Sequence, residues 1–296
     1  MAGEWTIKEL LDWTQGYFRE RGIAAARLEA ELLLAYVLEQ NRVYLYANYD
    51  APSNPPEREA YRNLIKRRAA GEPLAYITGS KEFMSLVYQV GPGVLIPRPE
   101  TELLVEQVIE LVKARQLSAE EVNEAEPPAV RICDVGTGSG AIAVSLAHYL
   151  PQSTVCAVDL SAAALDIARA NAQCHAVQVE YFQGDLLSPL SEAEPFDFIV
   201  ANLPYIPEPE YLALERGILE YEPREALLAG GDGLDLYRRL LPQAFDLLAP
   251  GGYIIYEIGA GQGSAALRLM ERFAQVELLV DLAGRDRIIK GRKQGG

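Results

Sequence analysis

Residues 131–147 read RICDVGTGSGAIAVSLA. An apolar, strand-like run ends at Val135, glycine recurs at Gly136, Gly138 and Gly140, and a helical pattern begins at once. In a doubly wound α/β sheet such a turn lets a ligand approach the backbone and aims helix N–H groups at it. Downstream the same period continues. Strands are expected at 130–135, 153–158, 177–182, 196–201, 251–258, 275–281 and 286–291, with helices over 140–150, 161–173, 233–248 and 261–273. That alternation predicts a mostly parallel, seven-stranded sheet covered by helices on both faces. The last two strands are joined by a short AGRD step at 283–286, which predicts a hairpin and an antiparallel edge strand.

Upstream the texture differs. ARLEAELLLAYVLEQ (26–40) and PEREAYRNLIKRRAAGEP (56–73) space their apolar residues by three and four, with Pro and Gly between segments. A small helical domain is expected over residues 1–80. KEFMSLVYQVGPGVLIPRPETE (81–102) carries β-branched and aromatic residues around Gly91-Pro92-Gly93. It predicts a hairpin linker over 81–98, and the main domain then spans 99–296. A helix is expected from about Glu100 to Ala114, followed by an acidic surface loop over 116–129.

The chain has 296 residues, 49% hydrophobic and 23% charged, as globular proteins do. No apolar run reaches the roughly 20 residues that span a bilayer, and MAGEWTIKELLDW lacks a signal-peptide layout, so retention in the cytoplasm is expected. Cys133, Cys156 and Cys174 form no CxxC pair and read as reduced packing residues. With only His148 and His175, no zinc spacing and no histidine triad is supported, and no metal is expected. Net charge is −15, and the basic clusters at 66–68 and 284–293 are short. That argues against gripping phosphate backbones and fits a basic protein partner or a small-molecule substrate.

Asp159 ends the second strand in VCAVDLS (155–161), where a carboxylate is placed for the hydroxyls of a ribose. Asp185 follows the third strand in FQGDLLSPL (182–190), at the rim of an adenine pocket, with Leu186 as an apolar wall. The glycine turn itself leaves two ligands open. Gly136-x-Gly138-x-x-Ala141 satisfies the dinucleotide pattern, and Asp134-x-Gly136-x-Gly138-x-Gly140 satisfies the pattern of S-adenosylmethionine enzymes.

The fourth strand supplies the discriminating feature. FDFIVANLPYIPEPEY (196–211) runs a buried strand into Asn202-Leu203-Pro204-Tyr205. An amide or aromatic amine is a poor nucleophile because its lone pair is delocalised, so it needs positioning more than a base. The Asn202 side-chain oxygen and the Leu203 carbonyl each suit one N–H of a planar –NH2. Tyr205 suits its flat face, and Pro204 stiffens the turn. Nicotinamide hydride transfer gives this tetrapeptide no comparable role and becomes the runner-up.

Together with VLIPRPETELLVE (94–106), the GTGSG turn and the asparagine tetrapeptide resemble the release factor glutamine methyltransferases. These methylate the glutamine of the Gly-Gly-Gln loop in peptide chain release factors. The resemblance extends over nearly the whole chain, through 222–240, 251–263 and 281–292. It implies a Rossmann-like methyltransferase sheet that uses S-adenosyl-L-methionine and yields S-adenosyl-L-homocysteine. It also implies contacts to that cofactor from Gly136, Thr137, Gly138, Ser139, Gly140, Asp159, Leu186 and Asn202. Asn202, Leu203, Pro204 and Tyr205 are then expected to hold the glutamine amide, with Arg98 and Glu100 of PRPETE (97–102) beside the site. Glu257 reads as structural. The helical domain becomes the docking platform for the release factor, no direct nucleic-acid binding is expected, and the chain is expected to be a monomer. One position departs from the family's usual Asn-Pro-Pro-Tyr: Leu203. Asn-Leu-Pro-Tyr is also typical of enzymes that methylate adenine in ribosomal RNA, which is the alternative reading.

Overall fold

The computed structural model describes residues 5–121 and 129–295. Five helices come first: α1 (Ile7–Arg19), α2 (Ala26–Val37), α3 (Arg42–Ala47), α4 (Pro55–Ala69) and α5 (Leu74–Thr78). The strands β1 (Ser80–Phe83) and β2 (Leu86–Gln89) precede α6 (Glu102–Glu121). Strands and helices then alternate through β3 (Arg131–Val135), α7 (Ala141–Tyr149), β4 (Thr154–Asp159), α8 (Ala162–Cys174), β5 (Glu180–Gln183) and β6 (Phe196–Ala201). Short α9 (Glu208–Tyr211) and α10 (Arg216–Tyr221) lead to α11 (Asp235–Leu247) and β7 (Leu248–Glu257). The chain ends in α12 (Gly263–Arg268), β8 (Ala274–Val280) and β9 (Asp286–Arg292). Two compact units result: Met1–Gly79 with Glu215–Tyr221, and Ser80–Leu214 with Glu222–Gly296.

In the helical unit, α1 and α4 begin with capping boxes, Thr6 with Glu9 and Asn54 with Glu57, which satisfy otherwise orphaned N–H groups. Leu11, Phe18, Leu33, Leu34 and Leu45 are buried together at its centre. The one carboxylate buried among them, Glu31, accepts from Arg27, Arg42 and Tyr46, so its charge is compensated.

In the larger unit the sheet order is β5-β4-β3-β6-β7-β9-β8. The five strands from β5 to β7 are parallel. The edge strand β8 pairs antiparallel, as the AGRD step predicts; the strand that runs against the rest is its neighbour β9, inserted between β7 and β8. Both sheet faces are buried. Ile199 packs on one face with Tyr237 and Leu240, while Phe198 and Val200 pack on the other with Val105 and Val144. That double coverage explains why β6 is apolar almost throughout instead of alternating.

Two boundaries differ from the sequence expectation. The hairpin turns at Met84-Ser85, both with positive φ (50° and 58°), and not at Gly91-Pro92-Gly93. Two residues in the left-handed region suit the right-handed twist of the strands, yet neither is the usual Asn or Gly, so the turn leaves no composition signal. The Gly-Pro-Gly stretch forms a separate turn closed by Val94 N–H to the Gly91 carbonyl. Helix α6 continues to Glu121, into the expected loop; residues 122–128 of that loop lie outside the described residues. The order of strands reverses between β3 and its neighbours β4 and β6, and the carboxyl ends of these strands open the crevice where such sheets bind ligands.

Candidate active site

The glycine turn after β3 is held from both sides. Gly136 N–H and Thr137 N–H donate to the Val158 carbonyl at 2.8 and 3.1 Å. Gly138 N–H donates to Asp159 Oδ2 and Ser161 N–H to Asp159 Oδ1, each at 2.8 Å. Gly138 has φ 55° and only open space where a Cβ would sit, so its backbone is exposed to a ligand. Gly140 (φ 80°) precedes α7, and a Cβ there would lie 2.9 Å from the Ala168 Cβ, so it permits α7 and α8 to approach closely.

Asp134 supports the turn from inside the protein. Its Oδ2 accepts from the Thr137 hydroxyl at 2.6 Å and from Ala143 N–H at 3.2 Å, while Oδ1 has no partner among the described residues. Burial pushes its carboxyl up from 3.8 to about 7, helped by the charge of Asp159 and opposed by those two hydrogen bonds. The folded state therefore binds this proton more tightly than the unfolded chain, and stability from this group falls as pH rises from the unfolded to the folded value. Asp134→Asn removes the titration. Its stability relative to the parent is expected to rise by up to about 1.4 kcal/mol per pH unit through that window. Urea denaturation of both proteins at about pH 5 and about pH 7 measures the difference; an unchanged gap would contradict it.

A cavity of about 480 Å³ opens at the carboxyl ends of β3, β4 and β6, within the range of small-molecule sites. Gly136, Thr137, Gly138, Ser139 and Asp159 line one side. Asp185 and Leu186 line the cavity too, as do Arg98, Thr101, Asn202, Leu203 and Pro204. Three expected residues stand off the wall. Gly140 caps α7, Glu100 is exposed in a single 3₁₀ turn, and Tyr205 points its hydroxyl to Glu257 Oε1 at 3.0 Å. Asp185 is exposed and ion-paired with Arg239. Leu186 is buried at φ 51°, a left-handed conformation that costs a non-glycine residue about 1–2 kcal/mol. Strain of this kind collects at ligand clamps.

The loop after β6 is held by a network of hydrogen bonds. Asn202 Nδ2 donates to Thr101 Oγ1 at 3.0 Å and to Glu257 Oε2 at 3.1 Å. Thr101 Oγ1 donates in turn to Glu257 Oε2 at 2.6 Å. With its nitrogen occupied, the Asn202 amide keeps Oδ1 free of any partner among the described residues. Glu257 is 1% exposed; burial raises its carboxyl, opposed by the Thr101 and Tyr205 hydroxyls and by the charge of Arg287. The Tyr205 phenol is also pushed up, by burial first and then by Glu257. Behind the loop, Leu203 N–H donates to the Tyr237 hydroxyl at 3.1 Å, and that hydroxyl donates to the Glu257 carbonyl at 2.5 Å. Arg98 is pinned by Glu222 at 2.6 Å, and the buried Glu222 also accepts Ile96 N–H.

Thr101, Tyr237 and the full role of Glu257 are absent from the sequence reading. Tyr237 lies in an apolar helical stripe and looks like core. Glu257 carried the one available signal, a carboxylate directly following the apolar run of a central strand.

Leu203 has two contacts that proline lacks. Its N–H holds Tyr237, and its Cδ2 lies 2.7 Å from where a Cβ on Gly136 would sit, so its side chain covers the glycine turn. Leu203→Pro keeps the carbonyl but removes both. It is expected to lower stability by about 1–3 kcal/mol, one hydrogen bond plus lost packing. Turnover should change less than about tenfold, because the backbone carbonyl at the cavity wall is kept. Thermal denaturation and initial rates test the two halves separately.

A doubly wound sheet with this glycine turn, a carboxylate ending the second strand and an asparagine loop ending the fourth defines a Rossmann-like methyltransferase. A family model described as a methyltransferase domain matches residues 132–220, and one described as the PrmC N-terminal domain matches residues 9–79. The release factor glutamine methyltransferase of Geobacter sulfurreducens is 44% identical over 290 residues, covering 97% of each chain. That of Moorella thermoacetica is 44% identical over 287 residues, covering 95% of this chain and 96% of its own. Among solved structures, a Thermus thermophilus 16S rRNA N2 methyltransferase in complex with AdoMet and guanosine aligns with a TM-score of 0.50. Its identity is 20%, over 73% of this chain and 50% of that one, which is a likeness of fold. The chain belongs to the release factor glutamine methyltransferase family.

Proposed function

We propose that this protein transfers a methyl group from S-adenosyl-L-methionine to the side-chain amide nitrogen of the glutamine in the Gly-Gly-Gln loop of peptide chain release factors, modulating translation termination. The observation that carries the reading is the fixed orientation of Asn202: Nδ2 is committed to Thr101 and Glu257, leaving Oδ1 as an acceptor at the cavity wall. Oδ1 and the Leu203 carbonyl, whose nearest donor among the described residues is the Tyr237 hydroxyl at 3.5 Å, form a paired acceptor for the two hydrogens of a planar –NH2.

The cavity suits the cofactor. Gly138 leaves open space beside its backbone, Asp159 presents a carboxylate with lone pairs to spare for ribose hydroxyls, and Leu186 offers an apolar edge to a base. Bound there, S-adenosyl-L-methionine would supply an electrophilic methyl on a sulfonium; as the N–C bond forms the S–C bond would break to leave S-adenosyl-L-homocysteine, and the nitrogen would give up one of its two protons to water as the product departs. The protein's own part is orientation. Asn202 and Leu203 hold both N–H bonds so that the nitrogen lone pair stands out of their plane, Pro204 stiffens the loop, and Tyr205 anchors the loop's far end through its bond to Glu257. Water is kept from the amide by the apolar walls that Leu203 and Pro204 contribute.

The helical residues 1–80 serve in this reading as the docking platform and residues 99–296 as the catalytic domain, acting as a monomer in the cytoplasm. A net charge of −15 suits a basic, ribosome-binding protein partner better than a bare nucleic acid. Incubation with release factor and cofactor, followed by mass spectrometry of the Gly-Gly-Gln peptide, tests the proposal. Addition of one methyl group to the glutamine is expected. Label appearing only in RNA would replace this reading with adenine methylation.

A further inference from the structure

The structure assigns Glu257 as a positioning residue that sets which face of the Asn202 amide meets the substrate; the assignment rests on the proposed function. An asparagine amide is nearly symmetric in shape, so an unrestrained side chain flips at little cost. A flipped Asn202 would present Nδ2, a donor, to a substrate –NH2 that offers only donors. Something must break the symmetry. Two acceptors lie against the nitrogen, Glu257 Oε2 at 3.1 Å and Thr101 Oγ1 at 3.0 Å. The threonine hydroxyl could serve either amide face, because a hydroxyl donates as readily as it accepts. It is held as an acceptor because its own hydrogen goes to Glu257 Oε2 at 2.6 Å. Glu257 therefore sets the amide twice, once directly and once through Thr101.

The same carboxylate orients the far end of the loop. Oε1 accepts the Tyr205 hydroxyl, and the Glu257 carbonyl accepts the Tyr237 hydroxyl, which leaves that oxygen to receive Leu203 N–H. One residue at the end of β7 thus connects to Asn202 and Tyr205 directly and to Leu203 through Tyr237.

Four enzyme variants and one spectroscopic arm test the assignment. Glu257→Ala is expected to lower kcat for release factor methylation by about 10- to 100-fold, with cofactor affinity and KM for the release factor within about threefold of the parent. Glu257→Gln retains one acceptor oxygen for Asn202 and can turn its own nitrogen to the Tyr205 oxygen, so it is expected to restore most of the rate. Thr101→Val removes one of the two acceptors and gives a smaller loss, and it reads the same contact should Glu257→Ala fold poorly. In an Asn202→Ala background, Glu257→Ala is expected to cost almost nothing further. An additive loss in that background, or a failure of Glu257→Gln to restore the rate, overturns the assignment. Selective 15N-asparagine labelling supplies a readout that needs no turnover. Slow exchange of the Asn202 side-chain amide protons, present in the parent and in Glu257→Gln and lost in Glu257→Ala, is expected; exchange unaffected by Glu257→Ala overturns the assignment. A parent enzyme that fails to methylate release factor speaks against the proposed function alone, because the exchange arm still stands.

Discussion

Asn202→Ala is expected to lower kcat by about 10²- to 10³-fold, the loss seen when one preorganised transition-state contact is removed. The magnitude follows from the nucleophile. A glutamine amide has almost no intrinsic reactivity, so nearly all the acceleration must come from holding it in an attack geometry. Alanine removes the Oδ1 acceptor and leaves the Leu203 carbonyl as the only anchor, around which the –NH2 group can swing. Thr101 and Glu257 remain bonded to each other at 2.6 Å, so the protein itself loses little. Cofactor affinity should change by less than about tenfold, because Asp159 and the glycine turn are untouched. Asn202→Asp is no rescue, since it sets a second carboxylate against the buried Glu257. Single-turnover methylation of release factor, with binding of S-adenosyl-L-homocysteine measured in parallel, separates the two quantities. Equal loss in both would mean that Asn202 only shapes the cavity.

The sheet was legible because its central strands are buried on both faces. Stretches such as RICDV and FDFIVA place apolar residues on both faces, and the glycines that follow β3 announce the turn. The insertion of β9 between β7 and β8 was not legible, because a hairpin reads the same from either side and only long-range pairing decides which arm meets the sheet. The turn at Met84-Ser85 was hidden for another reason, since left-handed φ at two ordinary residues is imposed by the strands they join.

The site divides along the same line. Cavity-lining residues that offer backbone or short polar groups, such as Gly138, Asp159 and Asn202, sit at strand ends in patterns that local chemistry can decode. Residues that act by holding those groups come from far along the chain. Thr101 lies 101 residues from Asn202, and Glu257 lies 55 away. A threonine in a helix start and a glutamate at a strand end have ordinary local explanations, so only the three-dimensional contact reveals that one orients the other. Leu203 belongs to both groups. Its carbonyl is legible from the tetrapeptide, whereas its N–H bond to Tyr237 and its cover over Gly136 appear only in the fold.

Asp159→Ala is expected to weaken cofactor binding by about 10²- to 10³-fold while leaving kcat at saturating cofactor nearly unchanged. Two losses combine. Each hydrogen bond from a ribose hydroxyl to a carboxylate contributes about 1.5–3 kcal/mol, and about 1.4 kcal/mol corresponds to a factor of ten. The carboxylate also receives Gly138 N–H and Ser161 N–H at 2.8 Å, so its removal frees the middle of the glycine turn that the cofactor must meet. The first loss alone reaches the lower bound, and the second extends it. Asp159→Asn keeps one acceptor oxygen and should fall between. Thermal denaturation makes the test independent of activity. At a cofactor concentration about 100 times the parent's Kd, binding stabilises the parent by about 2.7 kcal/mol, whereas Asp159→Ala should gain under about 1 kcal/mol. A variant that gains as much as the parent would assign Asp159 to the backbone of the turn and remove it from the binding site. The contrast with Asn202 then carries the mechanism: one strand end governs how tightly the cofactor is held, the other how fast the amide reacts.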